Sequence, residues 1–146
     1  MLADQLKVLL ASNFTYYLKS QMFHWNVEGP DFVQLHSLFG DIYADAYSAV
    51  DVIAEQIRTL DSYAPGSLSR FHELSLVPEQ TQIPRAKLMI EELLADTQTM
   101  IDLLNECFVV ATEDNKQDIA NFMAERLASH NKYSWQLKSL LKDGRA

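Results

Sequence analysis

The chain has 146 residues, of which 48% are hydrophobic, with one cysteine and a formal charge of −8 at pH 7. That is enough for one domain with a real core, spanning 1–146, and too little for two; a lone cysteine excludes an internal disulfide. The acidic balance argues against a phosphate backbone as partner, since nucleic-acid affinity rests largely on Lys and Arg, and it suits cations instead.

Leu2, Leu6, Leu9, Leu10, Tyr17, Leu18 and Met22 recur at spacings of three and four, which predicts an amphipathic helix ending near Val27. Helical periodicity at the start replaces a signal-peptide layout, and the longest apolar run, Cys107 to Ala111, is far too short to cross a membrane. A cytoplasmic setting is expected. After the Gly29-Pro30 break, Asp31 is a predicted N-cap for a second helix marked by Leu35, Leu38, Phe39, Ile42, Ala46, Ala49, Val50, Ile53, Ile57 and Leu60. Pro65-Gly66, Pro78 and Pro84 forbid a continuous helix over 61–84, although "SLSRFHEL" can form a turn or two. Met89, Leu93, Met100, Leu104 and Phe108 mark a third long helix. Ile119, Phe122, Met123, Leu127, Trp135, Leu137 and Leu141 mark a fourth, divided from it by the polar "TEDNK". Cys107, inside "ECFVVA", reads as a small buried hydrophobe and receives no role.

Four such helices are rods of roughly 40 Å, and the short first and last links make antiparallel neighbours. The middle link can run back along a whole rod, as a ferritin-like crossover requires. The expected fold class is all-α, a ferritin-like four-helix bundle with a short helix in the long crossover.

The residues that could carry chemistry lie on the first two helices. His24 and His36 flank the chain reversal, with Trp25 beside the first; they are two unrelated core residues or two ligands for one metal. Asp51 and Glu55 stand at i, i+4 within the apolar "AVDVIAEQI", a solvated edge when taken alone. His36 and Asp51 are about 22 Å apart along one helix and cannot share an ion within one chain, yet their angular positions differ by only about 60°. Two copies of this helix packed antiparallel about a two-fold axis near Tyr43 and Ala44 would bring His36 of one chain against Asp51 of the other. His24 could join that site, and imidazole with carboxylate suits Fe, Zn or Mn. Trp25 is then a packed aromatic or a nearby electron source.

The stretch "HWNVEGPDFVQLHSLFGDIY", followed by "DVIAEQIRTL", resembles the Dps-type miniferritins, whose pattern runs HWNV-x-GP, F-x-x-LH-x-x-F and D-x-x-A-E-[RQ]-I. "HNKYSWQLKSLL" is similar to that family's last helix, so the likeness covers most of the chain. The resemblance implies a hollow dodecamer with a ferroxidase centre at each two-fold interface, taking histidines from one subunit and an Asp and a Glu from its neighbour. Those roles fall on His24, His36, Asp51 and Glu55. It further implies oxidation of ferrous iron, preferentially by hydrogen peroxide, and storage as ferric mineral; the donor chemistry leaves Zn2+ or Mn2+ as substitutes.

One position departs from the pattern. The family has an Asp four residues after the second histidine, where this chain has Gly40, and the adjacent Asp41 is rotated by about 100° on the helix. Either an iron ligand is missing, or a packing need such as close approach of a two-fold partner favours glycine. The Glu-x-x-His pairs of larger ferritins are absent from the sequence. His72 reads as a surface or loop histidine and His130 as structural, while Asp114, Asp118 and Glu125 fit an iron-entry pore or a solvated face equally. Some family members compact DNA, and a cage with a degraded metal site is a third possibility. DNA binding is not expected here: twelve such chains carry roughly −96, the usual Lys-rich tail has no counterpart before Leu2, and Lys138, Lys142 and Arg145 form only a small basic cluster.

Overall fold

A computed structural model describes residues 1–144. It contains α1 (Leu2–Asn26), α2 (Phe32–Thr59), α3 (Leu68–Leu74), α4 (Ala86–Glu113) and α5 (Gln117–Leu140), and no strand among the described residues. The four long helices have 25, 28, 28 and 24 residues, in agreement with the periodicity. Leu6, Leu9, Phe23, Phe39, Ile42, Ile53, Ile57, Met89, Leu93, Leu104, Cys107, Met123 and Leu137 are all buried in the core. Burial pushes the Cys107 thiol up to about 12, with the nearby Glu106 charge adding to it, so the thiol stays protonated and inert.

The helix ends show how the chain turns. Val27 leaves α1 in an extended conformation, and Gly29 takes a φ of +119°, open to glycine and strained for other residues. Asp31 does sit at the N-cap of α2, but its side chain makes no capping bond there. Phe32 N–H donates to the Gly29 carbonyl instead, so a backbone turn starts the helix. At the far end of α2, Asp61 N–H reaches the Arg58 carbonyl and Ser62 N–H the Ile57 carbonyl, with Asp61 left-handed at φ 60°. The "TEDNK" link closes α4 in the same way, through Asn115 N–H to Thr112, Lys116 N–H to Ala111, and φ 58° at Asn115. Both are Schellman ends built on Asp or Asn, the non-glycine residues that tolerate this conformation best.

α1 is the central packing element. It lies against α2, α4 and α3. Two bonds fix the crossover to it: Leu76 N–H donates to Ser12 Oγ at 2.9 Å, and Lys19 Nζ donates to the Pro78 carbonyl at 3.1 Å. α3 begins at Ser67, whose hydroxyl accepts from Arg70 N–H, and it buries Phe71 against the Phe14 ring 4.9 Å away. No helix of the described residues is long and apolar enough to cross a membrane.

Candidate metal centre

The α1–α2 reversal brings His24 and His36 together. Their rings stack with centroids 3.8 Å apart and planes inclined by 16°. His24 Nδ1 lies 2.6 Å from the His36 carbonyl oxygen, and His36 Nδ1 lies 2.7 Å from the His24 carbonyl oxygen. A carbonyl only accepts, so each Nδ1 carries its proton and donates. In the neutral imidazole this leaves Nε2 of both rings as a bare lone pair, the atom a metal takes, oriented by a backbone acceptor on the other nitrogen. Neither Nε2 has a hydrogen-bond partner among the described residues. Tyr43 packs 5.1 Å from the His24 ring and Phe32 5.1 Å from the His36 ring, closing the pair on two sides.

Asp51 and Glu55 are exposed one turn apart near the other end of α2. The neighbouring Asp51 raises the Glu55 pKa above the usual carboxylate value, through a shared hydrogen bond and then by like charge. Histidines and carboxylates remain apart within one chain, and no group of three or more His, Cys, Asp and Glu converges among the described residues. Each half holds two side chains of types that can bind a metal.

Trp25 is 61% exposed and so is not the packed aromatic of a single chain. It borders a cavity of about 490 Å³ between α1 and the crossover, together with Leu18, Met22 and Phe71. Leu18, Tyr47, Val52 and Leu68 are exposed as well, leaving α1, α2 and α3 with apolar surface facing outward. The close approach at Gly40 comes from within the chain: a Cβ there would lie 3.1 Å from Cε1 and Nδ1 of His24. Asp41, Asp114, Asp118 and Glu125 are exposed, and His72 lies on the surface of α3, 3.7 Å from Glu79.

The periodicity argument passed over a second set of polar residues packed within the bundle, in which Arg126, Tyr133, His130, Lys19 and Asp96 are buried and Asp45 and Glu92 part-exposed. Arg126 on α5 forms a two-armed ion pair with Asp45 on α2, both bonds 2.9 Å, and Tyr133 donates to the same carboxylate at 2.5 Å. Burial alone would raise the Asp45 pKa, but these bonds and the Arg126 charge outweigh it and hold the carboxyl below its ordinary value. His130 is buried beside them, 5.3 Å from the Tyr16 ring, and burial, then the Arg126 charge, lowers its pKa to about 3. It is a neutral structural residue, in agreement with the sequence reading. On the other side of α1, Lys19 forms ion pairs of 2.8 Å with Asp96 and 3.4 Å with Glu92. The overlooked signal was position, because Lys19, Asp45, Asp96 and Arg126 all stand in the apolar stripes of their helices.

The ferritin-like domain family matches residues 3–146. The structure superposes on that of Dps from Thermosynechococcus elongatus with a TM-score of 0.94, at 26% identity, over 98% of this chain and 91% of that one. The chain belongs to the ferritin-like family and is a Dps-type miniferritin. Among relatives of this Dps-type chain, a DNA protection during starvation protein of Brevibacillus brevis is 28% identical over 86% of this chain and 85% of its own length. An uncharacterized low temperature-induced protein of Nostoc sp. is 32% identical over 91% of this chain and 75% of its own. Membership places the Dps-type chain among proteins that handle and store iron.

Proposed function

We propose that this Dps-type chain assembles into a cytoplasmic dodecameric cage whose paired subunits oxidise Fe2+ with hydrogen peroxide and keep the ferric product inside. The observation that carries the reading is the reciprocal bonding of His24 and His36, which frees two Nε2 lone pairs on one subunit. Asp51 and Glu55 of a two-fold partner would complete a donor set of two nitrogens and carboxylate oxygens, suited to Fe2+ and open to Zn2+ or Mn2+. The exposed apolar side chains of α1, α2 and α3 supply a surface for that partner. Electrons balance when two Fe2+ give up one each and one peroxide, with two protons, leaves as two waters. No hydroxyl radical is then released. Trp25, next to His24 in the sequence, would serve as the electron source for an oxidant that escapes this two-electron course.

Mixing two damaged subunits tests the shared site. A His36→Ala chain and an Asp51→Ala chain should each lose most peroxide-driven Fe2+ oxidation. Reassembled together, they should regain part of it, because each mixed dimer holds one intact site and one doubly damaged one. Mixed dimers shown to form by mass spectrometry, yet no faster than either variant alone, would refute a site shared across the interface.

A further inference from the structure

We infer that Gly40 is a positioning residue: the missing side chain opens the path by which His24 reaches the His36 carbonyl, and so sets the histidine pair. In an α-helix the carbonyl of residue i already accepts from the N–H of residue i+4, and the Cβ of that residue tilts back toward it. A second donor to the His36 carbonyl must therefore come in past position 40. His24 does so, with its Nδ1 2.6 Å from that oxygen. A Cβ at position 40 would meet Cε1 and Nδ1 of this ring, each at 3.1 Å. The ring has little room to retreat, being stacked on His36 at 3.8 Å and packed by Tyr43 at 5.1 Å.

Any side chain at 40 thus presses on the bond that holds the His24 proton on Nδ1. Without that bond the imidazole divides between its two tautomers, and Nε2 is no longer held free. The position is accordingly more than a vacant ligand site, since even the Cβ of a side chain there would press on the His24 ring at 3.1 Å. The binding consequence rests on the metal-site reading above, whereas the tautomer does not.

The test compares Gly40→Ala, which adds the Cβ alone, with Gly40→Asp, which adds the Cβ and a carboxylate. Solid-state 15N spectra of histidine-labelled, metal-free protein report the tautomers, with His24→Ala identifying the His24 signals among the four histidines. Both variants should turn His24 from pure Nδ1–H into a mixture. Calorimetric titration with Zn2+ alone, a redox-inert probe, should show both binding about tenfold more weakly than the unaltered protein. Adding Gly40→Ala to a His24→Ala chain should change Zn2+ affinity no further. Alanine is a better helix former than glycine, so α2 is retained in the decisive variant. Unaltered His24 tautomers in Gly40→Ala would overturn the inference. So would a Gly40→Asp chain that binds Zn2+ more tightly while Gly40→Ala is unchanged, which would establish a missing ligand instead. Shifted tautomers in a protein that binds no Zn2+ at all would sustain the role of Gly40 and remove the metal-site reading.

Discussion

His130 makes a single side chain answerable for acid sensitivity. In the unfolded chain it titrates near 6.5, and in the folded one near 3. Between those values the unfolded state binds a proton that the native state refuses, so stability falls as pH drops, by roughly 1.4 kcal/mol per pH unit on the steep part. Asp45 acts in the same direction at lower pH, because its folded pKa lies below 3.8 and the stability it contributes is lost as pH falls through that value. Asp96 acts oppositely: burial raises its carboxyl above 3.8, and the stability it contributes is lost as pH rises through the folded value. Urea unfolding at fixed protein concentration, compared between pH 6 and pH 4.5, should give a shallower pH slope for His130→Gln than for the unaltered chain. Equal slopes would show that His130 does not carry the effect.

At the scale of elements, the long crossover is held to α1 by few groups, and Lys19 is the chief of them. Its ammonium is buried, paired with Asp96 and bonded to the Pro78 carbonyl. Lys19→Met would leave the Asp96 carboxylate, 3% exposed, without its cation, at a cost of about 3–5 kcal/mol. Hydrogen exchange of the amides over 75–80 should accelerate with it, since the tether to Pro78 is lost. A Lys19→Met/Asp96→Leu chain should regain most of the global stability, because the fully buried ion pair is removed as a unit and the part-exposed Glu92 keeps Gln80 as its donor, and yet keep the faster exchange in the crossover. Recovery of both, or of neither, would contradict this division between charge pairing and tethering.

For the whole molecule, net charge dominates the long-range field. At −8 per chain, an assembly of many copies repels a phosphate backbone, and exposed Lys138 and Lys142 are a small counterweight; Arg145 lies outside the described residues. Iron-free protein should therefore leave plasmid mobility unchanged at physiological salt and neutral pH. Retardation that disappears as salt is raised would reveal a phosphate-binding surface and overturn the expectation. The same acidic field attracts divalent cations, so at low ionic strength the two charge effects favour the cation and disfavour the polyanion together.

The sequence by itself determined the helices, the crossover and the short helix within it, because the three-and-four spacing of apolar residues and the prolines act over one or two turns. It also named His24, His36, Asp51 and Glu55 as candidate donors, and helix arithmetic separated His36 from Asp51 within one chain. Tertiary structure decided how the histidines are held. Their reciprocal bonds join backbone and ring across a chain reversal of 12 residues, where no periodicity points. It likewise decided that Gly40 faces His24 of its own chain, a contact which depends on how α1 and α2 cross. The packed ions were present in the sequence as charges in apolar stripes, but Asp45 finds Tyr133 88 positions away. A charge inside a stripe announces only that a partner is needed, and the packing of distant helices chooses which one.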